Sequence, residues 1–445
     1  MPILGLLGTE QFAAERFKSV RRSVFYFYPN GAAPLTGLLS LLKEASVNDP
    51  EFSWYEKRLR EQKSITASAN ANGPFTTAGG DVDRVVAGFA LAAGDTVRVK
   101  VADTSDFRVG HQLQISDVPN GAGTATFEIQ GIVTSVVAAT KVEIKVIKAY
   151  ASVSNDVDAN SLEVLVIGSA YAQGAVGSSL APWNLPVNPS NNCQIFRTEF
   201  SMTGTAAKTS AKFDETGPYI DKSKEASVYH MLELEKAFLF GEQSKSVDGV
   251  TGLPTYTTGG IIDFLKLWEA GATYGNTAAT VDADDNKRII ENAAGTINEQ
   301  LYDKYLERCF RVTNNTANEK LVLCGSGFLS VINQLYKSKS VLNTDIPSTD
   351  AYGMSVVRHV TPFGTIFYKS HPLFSQNASL RFNALFLDVQ NLMYNYMDGR
   401  DTELLTHRQP NSADYRQDEW LSECGLEVRF PESCLYLKNI LQYTP

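Results

Sequence analysis

The sequence predicts an α+β protein, with strands and helices grouped in blocks rather than in regular alternation. Three stretches carry the prediction. Ser223–Glu242 (SKEASVYHMLELEKAFLFGE) reads as one long amphipathic helix. Residues 94–168 alternate apolar and polar side chains over several short runs, the period of half-buried strands. The last fifth reads as more strands: Ala384–Asp388, Leu392–Tyr396, Cys424–Phe430 and Cys434–Ile440.

In chain order, residues 1–60 read as an arm. FAAERFKSVRRSVFYFY is a helical run entering an aromatic stretch, and Pro29-Asn30-Gly31 breaks it. Leu35–Lys43 starts a second apolar helix, which Asp49-Pro50 ends. Phe52–Lys63 then mixes Trp54 and Tyr55 with Lys57, Arg58, Arg60 and Lys63. Such a stretch can stack on nucleic acid. An amphipathic arm laid on a neighbouring subunit, with stems packed and charges in water, is the preferred reading.

Residues 64–90 are rich in Ala, Ser, Thr, Asn and Gly and read as a flexible or extended loop. In the β block, Val97, Val99 and Val101 alternate with Arg98 and Lys100, and Leu113 with Ile115 repeats the pattern. Val142, Ile144 and Val146 alternate with Glu143 and Lys145, and Leu162, Val164 and Val166 follow. Turns at Asp103–Asp106 and Pro119-Asn120-Gly121 separate the runs, so a small antiparallel sheet or barrel is expected.

Residues 171–192 read as a linker and Gln194–Thr203 as a strand. In the long helix, Ser227, Met231, Leu234 and Phe238 form the inward stripe, flanked by Val228, Leu232 and Leu239. Glu225 sits in the first turn, where the helix dipole favours a carboxylate, and Gly241 marks the end. Asp248–Gly260 reads as a Gly/Thr linker. A middle α/β block of about 250–375 follows. Its first helix is expected from Asp284 or Asp285 to about Arg308, with Ile290, Ala293, Ile297, Leu301 and Tyr305 on one face. A buried strand at Lys320–Cys324, a helix from Ser326, and a hairpin of Met354–Val360 with Thr365–Lys369 complete it. The closing strands are expected to meet at a turn, Pro431-Glu432-Ser433, after a charged loop at Met397–Glu419. Leu426, Val428 and Phe430 would be buried there, with Glu427 and Arg429 in water.

The chain of 445 residues is 43% apolar and 10% aromatic, enough for two to four domains with real cores. Its net charge of −9 argues against tight nucleic-acid binding, which needs a basic surface to displace counterions. It is compatible with enclosing nucleic acid without sticking to it. The apolar start MPILGLLG is too short for a signal peptide and lacks a basic flank, and no apolar run reaches the length of a membrane span. The cysteines, Cys193, Cys309, Cys324, Cys424 and Cys434, are odd in number and show no CxxC spacing, so buried reduced thiols are expected.

Catalytic and ligand signals are weak. Cys324-Gly-Ser-Gly-Phe lacks the nucleophile-elbow spacing and the glycine-lysine loop that cradles phosphate. A hydrolase using Cys324 or Ser326 is therefore the minor reading, below a strand-to-helix turn. Asp282-Ala-Asp-Asp-Asn resembles a calcium-loop opening, but Lys287 and Ala293 stand where the glycine and the glutamate belong. His111, His230, His359, His371 and His407 have no metal-ligand spacing, and His371 reads as a structural imidazole. No cofactor or metal is expected. Asp398-Gly399-Arg400-Asp401 offers a cation beside an anion on a tight turn. Arg400 and Asp401 suit a contact across a subunit boundary, or a solvated surface pair worth little.

Several blocks in order resemble one family of tailed-phage major capsid proteins. They are Phe52-Ser53-Trp54-Tyr55-Glu56, Asn191–Glu199 (NNCQIFRTE), and the helix core from Met231 to Gly241. Asp398–Thr402 and Trp420–Phe430, with Glu423, Gly425, Leu426, Glu427 and Val428, continue the series, and Gly94–Ile115 is similar to that family's β insert. The resemblance implies a Hong Kong 97-type fold with an inserted small all-β module. Residues 1–60 would be the N-terminal arm and 61–193 the extended loop, carrying the module at about 94–170. Residues 194–250 and 376–445 would form the peripheral domain, with its spine helix at 223–242 and its long sheet. Residues 251–375 would be the axial domain. The implied function is self-assembly into hexamers and pentamers of an icosahedral shell. That shell would enclose double-stranded DNA without reading its sequence, inside a host cytoplasm and away from membranes. Portal, scaffolding and decoration proteins would be partners. Trp54, Tyr55, Arg58, Arg60, Arg400 and Asp401 are the intersubunit candidates. The alternative within the structural class is a decoration, tail or adhesin protein, which the β module, under a third of the chain, does not favour.

Overall fold

A computed structural model describes residues 35, 37, 44–58, 62–66, 74–77, 89–120, 126–153, 162–174, 183, 185–208, 218–271, 274, 287–312, 318–337, 348–351 and 354–444. The helical runs of the arm fall almost wholly outside them. So do Arg60 and the acidic run 282–286. The chain divides into two compact units, one made of 1–54, 188–270 and 288–445, the other of 55–187 with 271–287.

In the first unit the chain begins with β1 (Glu44–Val47) and β2 (Glu51–Ser53). It then enters the second unit, which holds β3 (Lys63–Ile65), β4 (Phe75–Thr77), β5 (Phe89–Leu91), β6 (Thr96–Lys100) and β7 (His111–Pro119). β8 (Thr126–Ala138), β9 (Lys141–Val146), β10 (Tyr150–Val153) and β11 (Glu163–Ser169) complete it. Seven of these strands form one sheet in the order β3-β11-β7-β8-β9-β6-β4, and β10 pairs with β5. All described pairings there are antiparallel. Val97, Val99, Leu113, Ile115, Val142, Ile144, Val146 and Val164 point into one apolar core, as their alternation implies. The stretch 64–90, expected to be a loop, instead supplies β4, β5 and most of β3. Phe75 of β4 is fully buried in the core, and β4 covers the sheet edge that β6 would otherwise leave open, while β3 pairs with β11 at the other end.

The first unit resumes with β12 (Ser190–Asn192) and β13 (Gln194–Thr203), then a short helix (Gly204–Lys208) and the long helix Pro218–Phe240. The Gly/Thr segment expected to be a linker is a hairpin, β14 (Ser244–Val247) with β15 (Pro254–Thr257). A helix not anticipated from sequence, Ile261–Ala270, follows and buries Ile261, Ile262, Phe264, Leu265 and Trp268.

The helix expected from Asp284 or Asp285 is also different. Its first half is β16 (Ile289–Glu291) and β17 (Thr296–Ile297), and the helix runs only over Glu299–Arg311. Gly295 adopts a left-handed φ of 67°, which ends any helix there. Asn298 then caps the true start by accepting from Leu301 N at 2.8 Å. β18 (Glu319–Cys324), the helix Ser326–Lys337, β19 (Ser348–Ala351), β20 (Met354–Val360) and β21 (Thr365–Ser370) follow. After a short helix (Pro372–Gln376) come β22 (Ala384–Leu387), β23 (Leu392–Met397), β24 (Glu403–Leu405) and β25 (Tyr415–Val428). The chain ends in β26 (Leu435–Lys438) and β27 (Gln442–Tyr443).

Two sheets organise this unit. One has the order β1-β23-β25-β13 with β24 also on β25; the other runs β16-β26-β22-β18-β21-β20-β19. The closing strands β25 and β26 therefore do not pair with each other. Phe430 takes a left-handed φ of 48° and a 3-10 turn at Pro431–Ser433 passes the chain from the first sheet to the second. Neither does β25 have one wet face: every residue from Asp418 to Val428 is buried, Glu427 included. The expected charged loop is shorter than read, because β24 and the start of β25 fall inside it.

The long helix packs against β13 and β25. Met231, Leu234, Phe238 and Leu239 fill the core with Phe196, Cys424, Leu426 and Tyr394. Gly241 ends it because nothing larger fits: an added Cβ would lie 2.5 Å from both Ala237 O and Thr258 O. Among the described residues no helix is long and apolar enough to cross a membrane.

Candidate intersubunit surface

β25 carries acids four residues apart, Glu419, Glu423 and Glu427, and period two puts them on one sheet face. All three are buried, at 1%, 7% and 6% exposed. A buried carboxylate needs a charged partner, and arginines from neighbouring segments supply it. Arg197, diagonally across on β13, reaches Glu419 Oε2 at 2.5 Å from Nη2 and 3.2 Å from Nε. Arg408 approaches the other Glu419 oxygen at 3.2 Å. Arg400 meets Glu423 at 2.5 Å and Arg429 meets Glu427 at 2.5 Å. Asn395 Nδ2 donates a further bond to Glu427 at 3.0 Å. Each of these arginines keeps between 41% and 52% of its side chain exposed. The result is a row of guanidinium groups held in place from below and open to water above. The Glu419 hydrogen bond raises the already high pKa of Arg197.

The turn at 398–401 belongs to this row. Gly399 takes a φ of 72°, and Arg400 N donates to Met397 O at 2.9 Å. Glu423 N donates to Arg400 O at 3.0 Å, so backbone and side chain both fix Arg400 to β25. Asp401 accepts from Tyr394 OH at 3.0 Å. On the opposite face of β25, Asp418 is fully buried. It accepts from Tyr219 OH, from Arg416 Nε at 2.8 Å and from His407 N at 2.7 Å. Burial, then the hydrogen bond to Asp418, pushes the Tyr219 phenol well up.

The other sequence candidates separate by exposure. Trp54 is 8% exposed and packs on Phe52 and Phe264, so its ring is committed to the chain's own core. Tyr55 is 74% exposed. Arg58 pairs with Glu56 at 2.7 Å and lies 5.3 Å over the Tyr274 ring. Arg60 lies outside the described residues. The structure thus places Arg400 in the row, whereas Asp401 turns to Tyr394, which packs in the core against Phe238. The glutamate row itself was missed, because Glu419 fell in the expected loop and Glu423 ahead of the expected strand; the E-x3-E-x3-E spacing was the available signal.

The chemistry candidates are structural. Cys324 is fully buried, burial pushes its thiol pKa up, and Sγ donates to Lys369 O at 3.5 Å. Ser326 opens its helix with its backbone N–H donating to Ser375 Oγ at 3.2 Å. All five cysteines are buried and unbonded to one another. His371 Nδ1 accepts from Leu373 N at 3.1 Å, which leaves the proton on Nε2, 2.6 Å from Glu235 Oε1 on the long helix. His230, on the same helix, bridges Thr198 of β13 at 3.0 Å and Ser422 of β25 at 2.7 Å. Burial lowers its pKa to about 4.

The family model described as SU10 major capsid protein matches residues 9–441. The major capsid protein of Pseudomonas phage PaMx41 is 22% identical over 451 residues, covering 95% of this chain and 92% of its own. Among solved structures, the capsid asymmetric unit of cyanophage A-1(L) is 15% identical at a TM-score of 0.39, covering 62% of this chain and 85% of its own. The holo-SrpI encapsulin complex from Synechococcus elongatus is 11% identical at a TM-score of 0.37, covering 59% and 79%. The family match spans nearly the whole chain, and that makes this a structural protein of a phage head. The chain belongs to the SU10 major capsid protein family.

Proposed function

We propose that this chain builds an icosahedral shell of hexamers and pentamers around double-stranded DNA, on a Hong Kong 97-type fold. Family membership across residues 9–441 carries the reading. In it, 1–60 is the arm and 61–193 the extended loop with its β module. Residues 194–250 with 376–445 form the peripheral domain, and 251–375 the axial domain. The exposed halves of Arg197, Arg400, Arg408 and Arg429 meet acidic groups of a neighbouring copy, with Tyr55 as an aromatic anchor on a second contact. Pre-fixed guanidinium groups lose little freedom on docking, which favours this use. Each such contact is weak and gains strength from repetition in a closed shell.

The net charge of −9 keeps the wall from binding the DNA it encloses. Assembly takes place in the host cytoplasm, with portal, scaffolding and decoration proteins as partners. The chain performs no turnover. Replacing Cys324 and Ser326 together by alanine leaves shell assembly intact; a hydrolytic activity lost with that pair would contradict the reading.

Cryo-electron microscopy of particles from cells expressing the chain tests the proposal. Closed shells with six-fold and five-fold capsomers are expected. Filaments or separate folded monomers would overturn it. Arg400→Glu combined with Glu423→Gln is expected to block shell formation while leaving the subunit folded, because Arg400 lies in the turn 398–401 and the second change removes the buried β25 carboxylate it would otherwise oppose; normal assembly of that variant would remove Arg400 from the contact.

A further inference from the structure

The β14–β15 ribbon pairs with no other strand among the described residues. Its tip leaves three aliphatic side chains in water: Val247 is 69% exposed, Val250 94% and Leu253 65%. Scattered apolar side chains on a surface are ordinary, but three on the seven residues of one tip are a patch. The tip is also built. The Asp248 carboxylate accepts from Thr251 Oγ1 at 2.5 Å, Thr251 N at 3.0 Å and Val250 N at 3.3 Å. Those bonds lower its pKa. Asp248 N donates to Leu253 O and Gly252 N to Asp248 O, each at 2.9 Å, with Gly252 at a φ of 68°. At the base, Lys245 pairs with Glu51 and lies 5.2 Å over the Tyr256 ring. A polar frame thus holds an apolar knob in one shape, which cuts the ordering cost of docking.

We propose that this tip docks into an apolar surface of a second copy of the same chain. The inference rests on the capsid reading. Its size points to a copy: three aliphatic side chains present far less than the roughly 800 Å² per partner that a stable pairwise interface needs. A contact that small holds only when repeated around a closed assembly, where every copy gives one knob and receives one. Its charge points the same way. The one formal charge in the loop, Asp248, is spent on the loop's own backbone and Thr251, so the tip has no cation to offer a nucleic acid.

The native cysteines are all buried, so Val250→Cys places a single reactive thiol on the surface. Its alkylation rate is measured in dispersed subunits and in shells made of this chain alone. Protection of ten-fold or more in the shells is expected. Equal rates overturn the inference, as does protection that requires DNA or an accessory protein. A second variant, Val250→Asp with Leu253→Asp, is expected to keep the subunit's thermal midpoint and to raise the concentration needed for assembly at least ten-fold. Assembly at the wild-type concentration overturns the inference. A wild-type chain that forms no shells overturns this inference and the capsid reading together. Shells in which the introduced thiol reacts freely overturn the inference alone.

Discussion

His230 sits between two strands and the helix that binds them, and it sits there neutral. Its pKa falls from 6.5 to about 4 because burial penalises the imidazolium. The folded state therefore holds fewer protons than the unfolded state between those values, so stability rises with pH across that window. The contribution is complete above pH 6.5 and is lost as pH falls toward 4; it amounts to at most about 3 kcal/mol. Thermal midpoints of the subunit should drop from pH 6.5 to pH 4, and His230→Gln should flatten that slope. An unchanged slope in the variant would place the acid sensitivity elsewhere. Lys320 makes a second residue-scale case. It lies fully buried on β18, 3.3 Å from Asp388 Oδ2 and 2.9 Å from Ser433 O. Lys320→Met strands the Asp388 charge and should cost about 3–5 kcal/mol. Adding Asp388→Asn should recover most of that, as read from denaturant midpoints.

At the scale of elements, the end of the long helix is the tightest joint. Gly241→Ala puts a methyl group against two carbonyl oxygens and should cost about 1–3 kcal/mol by forcing the helix end from Thr258. This helix was legible because its apolar stripe and its terminal glycine agree. The β module was legible for a similar reason: Val97, Val99, Val142 and Ile144 keep strict period two with one face buried. The helix read at 284–308 failed because Ile290, Ala293, Ile297 and Leu301 recur at helical spacing by coincidence. Gly295 and Asn298 decide the matter through backbone geometry, a local signal outweighed by the longer pattern. The closing strands were found but their pairing was not, since which sheet a strand joins depends on residues far away in sequence. A charged position misled in the same way. Glu427 read as exposed because Asn395, which bonds it inside the sheet, lies 32 residues away in sequence.

At the scale of the whole molecule, the 55–187 unit has its own core, built from Phe75, Phe107, Ile115, Ile129 and their neighbours. Expressed alone, residues 55–187 should unfold in one cooperative transition with a β-type spectrum, losing the Arg58–Tyr274 contact as a minor cost. Non-cooperative melting would make the unit dependent on the rest of the chain. The remaining unit spends its buried charge on a row of arginines that face outward. On the proposed reading, that surface and the apolar hairpin tip are where neighbouring copies meet. Sedimentation velocity of the purified chain over rising concentration tests this most directly. The account predicts a jump from subunits or capsomers to one fast, uniform shell species, whereas a compact monomer persisting at the highest concentration would contradict it.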